Sequence, residues 1–363
     1  VVMKLFRVLA TPCFALLFSV NAALAASAEQ QTVEHLVNDI ALPAYTNWQH
    51  TNQAFHTTSE QFCAGKAELA TVRAQWLAAQ HAWLALQPVL VPPSPADHLG
   101  LQIQFWPDKR NLAAKQTEEL LQKHTAITSE RLTVGSVAVR GLSASEYMLF
   151  DRERNLADSA QRARYCPLLQ ANTAYQLAQS SRALQVWQQF AALLLQTPNA
   201  RYADAAGPLS ELLRAQVTAF NVMHKKLGVA TGLSGTGSPQ PYQAEAWRAG
   251  DTLGSLQAGV VASQALWTGS GWRALVHSKQ PALAQKIDET YATLQAQLVP
   301  LQVPLERLLA TEAGKQQLKQ LFEQLNTLRL LYEKEVAKAL NVQLGFNGTP
   351  AAPSVISDRK SVV

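Results

Sequence analysis

Motifs that mark common catalytic sites are missing from this sequence. It contains no His-Glu-x-x-His, so the paired imidazoles and the catalytic base of a zincin are not present. It also contains no Gly-x-Ser-x-Gly, the turn that carries the nucleophile of an α/β-hydrolase. The glycine-rich stretch Gly232–Gly237 lacks the lysine of a phosphate-binding loop and follows no predicted strand, so we interpret it as a flexible loop.

A block of basic residues is lacking as well. The formal net charge is only +5, and the lysines and arginines are scattered along the chain. Surfaces that bind nucleic acid concentrate basic residues on one face, often among aromatic side chains. The sequence therefore predicts no nucleic-acid partner.

Cysteine is scarce, with three residues in the whole chain. Cys13 lies inside the apolar stretch near the N-terminus, and this is not where a lipoprotein carries its cysteine. Cys63 and Cys166 remain, and an isolated pair in an oxidising compartment favours a disulfide over two unpaired buried thiols. Such a bridge would close a loop of about 100 residues, which chain entropy values at roughly 4–5 kcal/mol.

The N-terminal residues indicate export. A basic stretch with Lys4 and Arg7 precedes the apolar run Val8–Val20, and small residues follow. This order is typical of a Sec signal peptide, cut here after Ala25 or Ala28. The apolar run is short for a membrane anchor, so we expect no membrane span in the mature protein and a location in the periplasm or cell envelope.

Apolar residues recur at helical spacing along most of the chain after this segment. In one stretch they alternate between three and four positions apart, as on the buried side of a helix: Leu69, Val72, Trp76, Ala79, Trp83 and Leu86. Long helices joined by mostly short loops predict antiparallel bundles, so the predicted fold class is all-α. The alternating stretch Leu101–Trp106 is instead predicted to be a short extended segment.

Other helices follow from the same pattern. The predicted spans are Thr32–Phe62 with a kink or break at Pro43, Leu112–Lys123, Ser136–Phe150, Arg162–Leu195, Leu209–Leu227, Gly250–Trp267, Pro281–Val299 and Glu312–Leu340. The pattern stops around Thr197–Ala200, and the chain is longer than one core usually serves, so we predict two helical-bundle domains that form a pseudo-symmetric duplication. The predicted divisions are a signal peptide (1–25), an N-terminal half (29–198), a C-terminal half (199–347) and a disordered tail (348–363).

The segment Arg140–Phe150 carries a resemblance to a known family. It resembles the imelysin signature, a helix with Gly-x-His-x-x-Glu followed by Tyr and an apolar Leu-Phe. The residues that match this signature are Gly141, Glu146, Tyr147, Leu149 and Phe150, whereas Ser143 stands where the family has histidine. Further stretches resemble the same family: Trp76 with Trp83, Phe105-Trp106-Pro107-Asp108, Glu245-x-Trp247-Arg248-x-Gly250 and Leu344-Gly345-Phe346-Asn347. The whole is most similar to the iron-regulated, imelysin-like envelope proteins, which implies a helical two-domain fold and a role in iron uptake.

The resemblance also implies a ligand site between the two halves. His-x-x-Glu places an imidazole and a carboxylate on one side of a helix, which is half of an iron or zinc site. Ser143 is a poor metal ligand, so the pair Ser143 and Glu146 is a weakened form of that half-site. Arg248 is the expected partner of Glu146, and Glu146 is interpreted either as a ligand-binding carboxylate or as one end of a structural salt bridge.

Gly141 belongs with Ser143 and Glu146 to the motif expected to bind the ligand or metal. The supporting residues expected between the two halves are Arg248, Glu245 and Trp106. His81 is expected to be a solvated side chain, and His98, His124 and His224 are isolated in sequence.

Three functions remain open. The leading hypothesis is a non-enzymatic envelope protein that binds iron, in preference to zinc, or an iron-bearing ligand or an envelope protein partner. The first alternative is a metallopeptidase, the activity from which the imelysin name derives. The second is a structural or interaction module.

Overall fold

The computed structural model describes residues 26–91, 99–123, 126–235, 237–301, 303–342 and 344. The predicted signal peptide 1–25, the predicted tail 348–363, His98 and His124 lie outside these residues. The described part of the chain is mostly helical and contains no strand, so the all-α prediction is confirmed. None of its helices is long and apolar enough to cross a membrane.

The α-helices are α1 (Ala28–His35), α2 (Leu42–Cys63), α3 (Leu69–Leu86), α4 (Leu99–Ile103), α5 (Leu112–Gln122), α6 (Ser129–Val134), α7 (Gly141–Phe150), α8 (Ser159–Leu195), α9 (Ala206–Thr231), α10 (Thr252–Gly269), α11 (Trp272–Lys279), α12 (Pro281–Leu298), α13 (Leu305–Leu309), α14 (Glu312–Leu330) and α15 (Ala337–Ala339). Polar side chains cap several N-termini by accepting a backbone N–H, as Asp158 does for α8 and Thr311 for α14. A π-helical turn, Leu36–Ala41, joins α1 to α2 directly before Pro43. Since proline lacks a backbone N–H, this wider turn adapts the chain to Pro43 without interrupting the helix.

Two local predictions were wrong. The stretch expected to be extended from Leu101 forms the last turn of α4 up to Ile103, and only the residues after it lack regular structure. Leu101 is 48% exposed, so the alternation of apolar residues did not reflect two sides of a strand. The helix predicted from Ser136 begins at Gly141, because Gly141 has φ +73 and interrupts the helical geometry that a single helix would need.

The packing of the long helices joins both halves of the chain. Helix α2 packs between α3 and α8, while α10 packs on α3 and α14 packs on α9. The buried apolar residues form one continuous core that runs through all of these helices. Helix α7 contains most of the segment Arg140–Phe150, which is called the family segment below. It packs against α3 and α8 and therefore lies next to this shared core.

The predicted disulfide is confirmed. Cys63 at the end of α2 is bonded to Cys166 near the start of α8, with 5.6 Å between the two Cα atoms. The bond links two helices that also pack along their length.

Candidate functional site

Gly141 sets the position of the family segment. A Cβ atom at this residue would lie 2.2 Å from the carbonyl oxygen of Ile103, so only glycine fits. The side chain of Asn172 on α8 holds the same residue from the other side: its Oδ1 accepts the Gly141 N–H at 2.7 Å, and its Nδ2 donates to the Gly141 carbonyl at 3.0 Å. Gly141 therefore has a structural role, because it allows the start of α7 to approach α4 and α8 closely.

Glu146 is a buried carboxylate one and a half turns further along α7. Its Oε1 accepts the backbone N–H of Arg248 at 2.7 Å and that of Ala249 at 3.2 Å. Among the described residues Oε2 has no hydrogen-bond partner, although Glu146 is only 6% exposed. Burial raises the pKa of the Glu146 carboxyl to about 7, against the opposing effects of the Arg248 charge and the two amides.

The predicted partner of Glu146 is present, but it binds through a different group. The Arg248 guanidinium pairs with Asp151 instead, with 3.0 Å between Nε and Oδ2. It also donates to Asn111 Oδ1 at 2.6 Å and stacks on the ring of Trp247, 4.3 Å from the ring centroid. A salt bridge between the Arg248 and Glu146 side chains is therefore not what holds the two segments together.

Ser143 lies one turn before Glu146 and lines the same small cavity. The cavity has a volume of about 30 Å³, and its lining also includes Glu245 and Trp106. The Ser143 hydroxyl donates to the Phe105 carbonyl at 3.2 Å, which directs it to the chain that follows α4. The structure therefore brings together the expected residues Ser143, Glu146, Glu245 and Trp106 around one cavity.

Trp106 and Glu245 connect the two halves of the chain at this cavity. The Trp106 indole donates to the Gln243 carbonyl at 2.7 Å. Glu245 is 8% exposed and pairs with Lys226, with 2.8 Å between Oε1 and Nζ. The Lys226 ammonium also donates to Gln104 Oε1 at 2.9 Å and lies over the Trp106 ring.

Lys226 is a site residue that the sequence reasoning missed. It lies in α9 three residues after Met223 and four before Ala230, both of which are buried. This spacing places a lysine toward the apolar side of the helix, and a charge in that position indicates a buried partner. That signal was available in the sequence, but the identity of its partner was not.

The His81 side chain is 41% exposed, in keeping with the predicted solvated side chain, but it also has a specific partner. It begins a chain of polar side chains, because its Nε2 lies 2.7 Å from Asp251 Oδ2. The chain then runs, in order, through Asp251, Ser255, Gln80, Gln104 and Lys226, with hydrogen bonds of 3.1, 3.3, 3.3 and 2.9 Å. It links α3 to α10 and ends at the ion pair of Lys226 with Glu245.

A wider cleft lies beside the small cavity. It has a volume of about 530 Å³, and Trp247 and Arg248 line both spaces. Tyr147 forms part of its wall and donates to Glu118 at 2.7 Å, while Arg154 donates to the Tyr147 hydroxyl. The family segment therefore contributes Glu146 to the small cavity and Tyr147 to the cleft.

A comparison with known families matches the part of the chain that contains these residues. The family model for imelysin matches residues 41–331, which is most of the chain. The chain belongs to the imelysin family. The imelysin match includes the whole of α7 and the segment of Glu245 and Arg248.

A solved imelysin-like protein has the same fold. The crystal structure of the protein from Psychrobacter arcticum 273-4 superposes with a TM-score of 0.71 and is 21% identical in sequence. The alignment covers 88% of this chain and 98% of the other. No curated protein matches the chain.

In the part of this imelysin-family chain that the structure describes, the side chains that could ligate a metal are dispersed. Within the described residues, no three His, Cys, Asp or Glu side chains are grouped in a way that could hold a metal ion. His224 lies away from the cavity, stacked on Phe322 with 3.9 Å between the ring centroids, and burial lowers its pKa.

Proposed function

We propose that this chain is an exported, non-enzymatic binding protein that takes up an iron-bearing ligand at the cavity around Glu146. The observation that carries the proposal is the state of this carboxylate. One oxygen accepts two backbone N–H groups, and the other has no partner among the described residues. The second oxygen can still accept, so a ligand that donates a hydrogen bond or a positive charge from the cavity gains a charge-assisted hydrogen bond to Glu146.

The residues do not fit a bare iron ion. Ser143 replaces the histidine of the family signature and bonds the Phe105 carbonyl. Glu245 is neutralised by Lys226, so a metal would have to compete with a buried ammonium. Because both side chains already have partners, we favour iron that is bound inside a chelating ligand, with its coordination sites already filled.

The volumes of the small cavity and of the cleft also support a chelate as the ligand. A cavity of about 30 Å³ has room for one or two atoms of the size of a water oxygen. The cleft of about 530 Å³ has the size of a small-molecule site. We place a donor group of the ligand, such as an amine or hydroxyl, against Glu146, and the body of the chelate against Trp247 and Arg248.

Export rests on two features of the chain. The N-terminal sequence is typical of a signal peptide. The disulfide between Cys63 and Cys166 is compatible with an oxidising compartment outside the cytoplasm.

The test is a calorimetric titration of the purified protein with ferrous sulfate, ferric citrate and a ferric trihydroxamate chelate. We expect one of the two chelates to bind with a stoichiometry of one and the simple salt not to bind. Glu146→Gln keeps the shape and removes the charge, and it should weaken binding about tenfold or more. Glu289→Gln removes an exposed carboxylate that lines neither the cavity nor the cleft, and it should leave the affinity nearly unchanged.

Three other results would each favour a different function. Tight binding of the iron salt alone would favour an ion over a chelate. Hydrolysis of an unfolded polypeptide that stops with a chelator and in Glu146→Ala would favour the peptidase that the family name suggests. If neither binding nor hydrolysis occurs, the structural module is the better description.

A further inference from the structure

A second cavity lies away from the family site. It has a volume of about 270 Å³ and shares no lining residue with the small cavity or the cleft described above. Its lining comes from several helices of the fold and includes Tyr45 of α2, Trp187 of α8 and Thr218 of α9. The remaining lining residues are Leu90, Val91, Leu99, Gly100, Gln102, Gln179, Arg182, Ala183 and Val186.

Most of this lining is apolar. Aliphatic side chains form one part of the wall, and the rings of Tyr45 and Trp187 form another, with 5.1 Å between their centroids. A concave, mostly apolar space of this size with a few polar groups is the usual form of a small-molecule site. The walls therefore favour a ligand with an apolar body.

One polar group of the lining, the indole N–H of Trp187, is a buried donor without a partner in the described part of the chain. Trp187 is 1% exposed, and its indole N–H has no acceptor among the described residues. An indole nitrogen can only donate, so the missing partner must be an acceptor.

Among the described residues of the lining, Arg182 is the one that carries a charge, and no described carboxylate pairs with it. An arginine in the same lining as an unpaired N–H attracts an anion that can accept several hydrogen bonds. We infer that this cavity binds a small apolar carboxylate, whose apolar body packs against Tyr45 and Trp187 and whose carboxylate is bound by the donors of the lining.

The test uses the full-length protein and calorimetric titration with decanoate. Decan-1-ol has the same chain without the charge, and it should bind about tenfold more weakly or worse. Phenylbutyrate is the aromatic probe, and comparison of the two acids shows whether the cavity prefers an aliphatic or an aromatic body. Binding of either acid supports the inference, and failure of both to bind the wild-type chain overturns it.

Three variants locate the binding. Ala183→Phe fills the cavity and should abolish binding while the protein remains folded by circular dichroism. Trp187→Phe keeps a ring and removes the N–H, so it should weaken decanoate binding about tenfold. Arg182→Gln should weaken it several-fold, and the loss should shrink at high salt because Arg182 is exposed.

Two controls separate this site from other effects. Arg162→Gln removes an arginine of α8 that does not line the cavity, and it should leave decanoate binding unchanged. Glu146→Gln should also leave it unchanged, so the outcome is independent of the function proposed above. If Ala183→Phe binds decanoate as the wild type does, the acid binds elsewhere and the assignment is wrong.

Discussion

Arg248 holds Glu146 with its backbone and Asp151 with its side chain. The amide N–H lies 2.7 Å from Glu146 Oε1, whereas the guanidinium Nε lies 3.0 Å from Asp151 Oδ2. One residue of the C-terminal half thus contacts the middle of α7 and the residue that follows its last turn. The charge of Arg248 is compensated by Asp151, which leaves the charge of Glu146 without a side-chain partner.

This relationship predicts which pairs couple energetically. In a double-mutant cycle, Arg248→Gln with Asp151→Asn should show a coupling of about 1–3 kcal/mol, between the values for exposed and for buried ion pairs. Arg248→Gln with Glu146→Gln should couple less, because the substitution at Arg248 leaves its amide in place. Urea unfolding of the three single variants, the two double variants and the wild type measures both values, and the reverse order would contradict the assignment of the two contacts.

The buried Glu146 predicts a specific dependence of stability on pH. Its pKa rises from 4.5 to about 7 on folding, so the folded protein binds more protons than the unfolded chain between these values. The free energy of unfolding should therefore fall by about 3 kcal/mol as pH rises from 4.5 to 7, and this contribution should be constant above that window. Urea unfolding across pH measures it by comparison with Glu146→Gln, which should lack this contribution. Parallel curves for the two proteins would show that Glu146 does not titrate in this range.

Gly141 should tolerate no side chain. Gly141→Ala places a Cβ against the Ile103 backbone and forces a positive φ on alanine, so it should lower the free energy of unfolding by more than about 2 kcal/mol. Gly65→Ala is the matched control, because its φ is +71 and no atom lies within 4 Å of the added Cβ. The control should cost only the conformational term of about 1–2 kcal/mol. Equal losses in the two variants would show that contact with Ile103 is unimportant.

Lys226 should stabilise the fold by neutralising the buried Glu245. Lys226→Met leaves Glu245 buried without a counter-charge, and this typically costs about 3–5 kcal/mol. Adding Glu245→Gln removes the unpaired charge and should recover a large part of that loss. Thermal and urea unfolding of the single and double variants provide the measurement. A double variant as unstable as Lys226→Met would mean that the lost packing over Trp106, and not the unpaired charge, causes the effect.

Several features could be predicted from local sequence alone. Apolar residues at helical spacing, such as Val72, Trp76 and Ala79, depend only on the geometry of one helix, so they predicted α3 and the all-α class correctly. The pair Cys63 and Cys166 could be predicted because only these two cysteines follow the expected export signal. The residues of α7 predicted the family together with the further stretches that resemble it.

Other features depended on contacts between residues far apart in the chain. The sequence placed Arg248 near Glu146, but only the folded chain decides that its amide, and not its guanidinium, makes the contact. The same holds for Lys226 with Glu245 and for His81 with Asp251. The physical reason is that local spacing determines which side of a helix is apolar, whereas the partner of a buried polar group is set by the packing of helices against each other.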